Sequence, residues 1–164
     1  MKKTMFIVML LSVVSFSFAQ KKNGGEFFKK TELKAGVLSP IPANVSSAYK
    51  IDVGSVFFEA GYKLSKKVTI NVNSGYMRFR EGTENINNIP VLGGLKYNIN
   101  ENVYFGTSVG ASFYDKDAAK KATLLHSPYV GLKMKHISMD LRYFNWRGRS
   151  NTENSLGVVV SYIL

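Results

Sequence analysis

The chain has 164 residues, 45% of them hydrophobic and 13% aromatic, with 22 Lys and Arg against 11 Asp and Glu and a formal net charge of +11. That length suits one domain, and the apolar and aromatic content is too high for a disordered polypeptide. The absence of cysteine excludes a disulfide framework and a lipid-bearing thiol, so stability falls to hydrogen bonding and packing.

The chain starts Met1, Lys2, Lys3, continues through an apolar run at 5–14 and reaches small residues at Ser15, Ser17 and Ala19. This order of charged, apolar and small residues is that of a secretory signal peptide, expected over 1–19 with cleavage after Ala19. As a membrane anchor the run falls short of the roughly 18 to 20 residues a spanning helix needs. Residues 20–30, with Lys21, Lys22, Lys29, Lys30 and Gly24-Gly25, read as a flexible periplasmic segment. The surplus of basic residues favours anionic partners, but export makes nucleic acid an unexpected one.

From Thr31 on, apolar and polar or small residues alternate with period two, the pattern of strands with unlike faces. Eight stretches are expected, at 32–39, 51–64, 68–80, 89–99, 103–114, 124–135, 137–147 and 155–164. The links between them alternate, long at 40–50, 81–88, 115–123 and 148–154 and short at 65–67, 100–102 and 136. Antiparallel neighbours joined in this way put every short turn at one end of an up-and-down sheet. Gly61-Tyr62-Lys63, Gly94-Leu95-Lys96 and Gly131-Leu132-Lys133 repeat just before the short turns. No later segment is an apolar helix, so membrane residence requires strands closed into a barrel. The expected fold is therefore all-β: a closed, antiparallel, up-and-down, eight-stranded transmembrane β-barrel over 31–164.

One face of the last stretch holds Leu156, Val158, Val160, Tyr162 and Leu164, and one face of the fifth holds Val103, Phe105, Thr107, Val109, Ala111 and Phe113. Such faces could meet lipid, or the core of a soluble lipocalin-like barrel binding an apolar ligand. The opposite faces favour lipid. They carry mostly Gly, Ser, Asn and Tyr, suited to a cramped lumen, where a solvated exterior would be loaded with Lys and Glu. Tyr62, Tyr97 and Tyr162 fall on the apolar faces near the short turns, where an interfacial aromatic girdle is expected.

Phe58-Glu59-Ala60-Gly61-Tyr62-Lys63-Leu64, Asn88-Ile89-Pro90-Val91-Leu92-Gly93-Gly94-Leu95-Lys96-Tyr97 and the terminal Val160-Ser161-Tyr162-Ile163-Leu164 resemble the small eight-stranded outer-membrane β-barrel proteins of the OmpA/OmpX type. The resemblance covers 31–164. It implies the bacterial outer membrane, insertion by the outer-membrane assembly machinery, and a role as structural protein, adhesin, narrow pore or, rarely, lipid-modifying enzyme. Such barrels usually end in an aromatic residue that the machinery reads, whereas this chain ends in Leu164 with Tyr162 two positions earlier.

Little in the sequence supports catalysis. His126 and His136 are the only histidines, no carboxylate array has metal-ligand spacing, and neither metal nor cofactor is expected. His126 and Ser127 are adjacent in a strand and so point to opposite faces, which argues against a base and nucleophile pair. Gly93-Gly94 reads as close backbone approach in a tight barrel. Two residue sets stand out instead. Arg78, Arg80, Arg147 and Arg149 end apolar faces beside long links, where guanidinium groups suit the phosphates of anionic lipid headgroups. Lys34, Glu59, Lys63, Lys96, Lys133, Asp140 and Arg142, with Asn71, Asn73 and Asn98, share the inward parity and are expected to fill the lumen as a charge network. Lys63, Lys96 and Lys133 are expected to reach water near the short turns. The functional expectation is a non-enzymatic barrel with a plugged lumen that conducts little, acting through its external loops on an unidentified ligand.

Overall fold

The structure, a computed structural model, describes residues 30–41, 49–51, 55–81, 84–116, 119–147 and 152–164. The chain divides into two compact units, Met1–Thr31 and Glu32–Leu164, and the second holds the sheet. The expected signal peptide at 1–19 and nearly all of the segment 20–30 lie outside the described residues.

The strands are β1 (Thr31–Pro40), β2 (Tyr49–Ile51), β3 (Ser55–Lys63), β4 (Val68–Glu81), β5 (Glu84–Asn98), β6 (Val103–Lys116), β7 (Ala119–Lys133), β8 (Ile137–Arg147) and β9 (Thr152–Ile163). Successive neighbours pair from β3 to β9, β9 pairs back onto β1, and β1 lies against β3, so the sheet closes on itself. Closure removes the unpaired edges that an open sheet exposes. β2 also pairs with β4, beyond the end of β3, so β2 and β3 share one of eight positions around the barrel.

That division corrects the single stretch expected at 51–64. Ile51 pairs with Phe79 and Val56 with Tyr76, so the register against β4 differs by two residues between β2 and β3.

The expected long links at 81–88 and 115–123 also need correction. Glu81 pairs with Glu84 and Lys116 with Ala119, so both regions continue as antiparallel ladders with two-residue connections. Both regions are rich in Asn, Glu, Asp and Lys by sequence, but each strand supplies hydrogen-bond partners for the other's backbone, and the ladder propagates beyond the apolar stretch. Pro90 and Pro128 interrupt pairing without shifting it. The β4–β5 ladder skips from Ser74↔Val91 to Met77↔Asn88, and β7–β8 from His126↔Asn145 to Tyr129↔Arg142, each in unchanged register. Proline has no N–H to give a ladder, so a missing rung is its local cost.

Burial alternates strictly along the strands, most plainly in β8, where Ser138, Asp140, Arg142, Phe144 and Trp146 face in and Ile137, Met139, Leu141, Tyr143 and Arg147 face out. The outward face is apolar all round the barrel. Val72, Leu95, Phe105, Val109, Leu132 and Met139 are all exposed, as are Ile89, Val91 and Tyr97 along β5. Ile89 to Tyr97 matches the roughly 9 to 11 residues with which a tilted strand crosses hydrocarbon.

Candidate functional site

The lumen is layered. Counting inward-facing residues from the short-turn end, β1 presents Glu32 and Lys34 before Leu38, β3 Glu59 before Phe57, β5 Lys96 before Leu92, and β8 Asp140 and Arg142 before Phe144 and Trp146. The half near the short turns is therefore ionic. The other half is an apolar cluster of Leu38, Phe57, Met77, Leu92, Leu125, Phe144, Trp146 and Val159.

In the ionic half, Lys96 Nζ lies 2.8 Å from Glu32 Oε1 and 3.3 Å from Glu59 Oε1, while Lys34 Nζ lies 3.4 Å from Glu59 Oε1. Arg142 Nη2 is 3.0 Å from both Glu59 Oε2 and Asp140 Oδ2. Tyr104 donates its hydroxyl proton to Asp140 and accepts from Lys34 Nζ at 3.2 Å. Lys133 pairs with Glu32 at the margin, its side chain 28% exposed. Among the described residues the buried acids are Glu32, Glu59 and Asp140 and the buried bases Lys34, Lys96 and Arg142, so formal charges cancel where water is excluded. Desolvating an unpaired ion costs several kcal/mol, which makes this balance a condition of folding.

Rings complete the packing. The Arg142 guanidinium carbon sits 4.0 Å from the centroid of Tyr129 and 4.6 Å from that of Phe57. A Cβ at Gly131 would come within 2.6 Å of Tyr104 Cε2, and one at Gly106 would meet the Tyr129 ring, so these glycines make the space the two tyrosines fill. Gly94 is likewise crowded, by Ser108 and Asn71, whereas Gly93 has open space outside, so close approach explains only one of that glycine pair. Asn71 Nδ2 donates to Tyr129 Oη at 2.8 Å and Asn73 Nδ2 to Ser108 Oγ at 2.9 Å, bridging the lumen from β4.

Of the expected lumen residues, Lys34, Glu59, Lys96, Asp140 and Arg142 meet in one network and Lys133 joins its margin. Lys63 is exposed. Lys96, expected to reach water, is 4% exposed because Asn98, Ile99 and the turn lie between it and the end of the barrel, unlike Lys63 and Lys133, which end their strands. Glu32 was not among the expected residues, although it shares the parity of Lys34. Nor was the apolar layer, since the inward faces were expected to be mostly small or polar.

Arg78 and Arg147, the two rim arginines whose side chains are described, do not converge. Arg78 on β4 and Arg147 on β8 are exposed, but four strand positions apart in a ring of eight, on opposite sides. The side chain of Arg80 and the whole of Arg149 lie outside the described residues. His126 faces out, its Nε2 2.9 Å from Thr107 Oγ1, and Ser127 faces in, so strand geometry keeps them apart.

Solved structures that share this arrangement include outer-membrane barrels. The Yersinia pestis outer membrane protein Ail in a phospholipid bilayer nanodisc matches with a TM-score of 0.57 at 12% identity, covering 82% of this chain and 98% of Ail. The fold is that of the eight-stranded outer-membrane barrels. The N-terminal β-barrel domain of Pseudomonas aeruginosa OprF matches this chain with a TM-score of 0.51 at 12% identity, covering 82% of the chain and 98% of the domain. Ail in complex with the heparin analogue sucrose octasulfate matches at 0.56, again at 12% identity and with 82% and 97% covered. No family model matches the chain, and no curated protein does.

Proposed function

We propose that this chain is a non-enzymatic, integral outer-membrane barrel with a closed lumen, delivered by its signal peptide and inserted by the outer-membrane assembly machinery. The observation that carries this is the inversion of a soluble barrel: large apolar side chains exposed around the outside and paired ions buried within. A lipocalin-like ligand binder needs the reverse, an apolar interior and a wettable exterior. The short turns face the periplasm and the paired hairpins face outward, as in barrels of this architecture.

At the hairpin end, Arg78, Arg80, Arg147 and Arg149 contact phosphate-bearing headgroups around the rim. Guanidinium forks suit phosphate oxygens, and placement on opposite sides suits a surrounding leaflet better than a single ligand. The binding of a sulfated sugar by Ail is compatible with anionic contact at such a barrel. Extraction with alkaline carbonate tests membrane residence: the mature chain stays with the membrane pellet, and recovery as a soluble periplasmic protein would refute the proposal. Replacing the four arginines with Gln lowers retention of anionic outer-leaflet lipid during purification, and unchanged retention refutes the rim contact alone.

A further inference from the structure

The short-turn end has its own chemistry, on the far side of the barrel from the arginines. Its turns, at 64–67, 99–102 and 134–136, each open with an apolar residue left in the open: Leu64 is 58%, Ile99 55% and Met134 59% exposed. Exposed lysines stand beside them, Lys63, Lys66 and Lys67 at the first turn and Lys135 at the third. Glu101 is the one acid in these turns.

Side-chain acceptors hold the backbone of the first two turns. Ser65 Oγ accepts from the N–H of Lys67 at 3.2 Å and of Val68 at 3.0 Å, and Asn100 Oδ1 accepts from Asn102 at 2.9 Å and Val103 at 2.7 Å. Side-chain acceptors of this kind pin a turn by replacing a backbone partner. Tyr97 and Phe105, 5.4 Å apart, lie just inside the second turn, and His136 of the third turn stacks on Tyr162 at 5.9 Å. From the barrel wall to the tip, the order is apolar, aromatic, apolar, then cationic.

That order matches the depth profile of a bilayer, and the sign of the tip charge selects among headgroups. We propose that the short-turn rim binds anionic phospholipid of the leaflet it faces, through Lys63, Lys66, Lys67 and Lys135, with Leu64, Ile99 and Met134 set into the acyl boundary. A soluble polyanion would satisfy the lysines but leave the three apolar side chains in water, so lipid is the better fit. The inference rests on membrane residence but not on the arginine rim.

The test uses the mature barrel purified in detergent with equal phosphatidylcholine and phosphatidylglycerol, and native mass spectrometry of the lipids retained. The expected result is a preference for phosphatidylglycerol that falls at least about tenfold in the variant with Gln at Lys63, Lys66, Lys67 and Lys135, since one lysine at an anionic surface is worth about fivefold. Glu101→Lys raises the preference and serves where the fourfold variant does not fold. Equal retention of both lipids by a membrane-resident barrel, no change in either variant, or binding of soluble polyphosphate with no lipid preference would each overturn the proposal. A failure of membrane residence itself shows separately, as a barrel that retains neither lipid and leaves the carbonate pellet.

Discussion

Arg142 is held by two carboxylates and two aromatic rings with none of its surface in contact with solvent. Removing its charge leaves Glu59 and Asp140 with fewer partners, and breaking a buried pair from one side costs about 3–5 kcal/mol. Arg142→Met is therefore expected to lower the urea midpoint of the folded barrel sharply, while adding Glu59→Gln recovers part of the loss. A single-variant midpoint equal to that of the parent would count against the network as a stabilising unit. The glycines give a cleaner contrast: Gly131→Ala drives a methyl into the Tyr104 ring and reduces folding yield, whereas Gly93→Ala meets nothing within 4 Å and leaves it unchanged. Alternation alone assigned Lys34, Glu59, Asp140 and Arg142 to the inward face. It did not by itself give their depth: Asn98, Ile99 and the turn lie beyond Lys96 and keep it from water.

Two of the three short turns show a second device, a serine or asparagine oxygen taking two N–H groups at the second turn position. Ser65→Ala and Asn100→Ala remove those acceptors, each at about 1 kcal/mol, the usual net worth of such bonds. Amide exchange should quicken at Lys67 and Val68 in the first variant and at Asn102 and Val103 in the second, with the strand centres unaffected. Exchange that stays slow would mean other groups hold the turns. At this scale the sequence was partly legible: all three short turns stand within a residue or two of their expected places, set by abrupt changes from alternating to polar residues. The opposite end was less so. Segments such as Glu84-Asn85-Ile86-Asn87-Asn88 look like loop by polarity, yet pair through backbone groups that composition does not report.

For the whole molecule, the proposed closed lumen rests on the apolar layer across one half of it. An eight-stranded barrel leaves an interior that side chains can fill, and here Phe57, Phe144 and Trp146 are the large ones. Planar-bilayer recordings of the parent are expected to be silent, and the Phe57→Ala, Phe144→Ala, Trp146→Ala variant to conduct; steady current through the parent would refute the plug. Unboiled protein should also migrate apart from boiled protein in detergent gels, because a closed sheet offers no frayed edge. The bonds that cross the lumen join residues far apart in sequence: Lys96 to Glu32 spans 64 positions, Arg142 to Glu59 83, and Lys133 to Glu32 101. None of these can form within one hairpin, and loop closure must precede them. The same cross-bracing that steadies the finished barrel therefore comes late, since these ion pairs wait until β1 and β3 lie across the lumen from β5, β7 and β8.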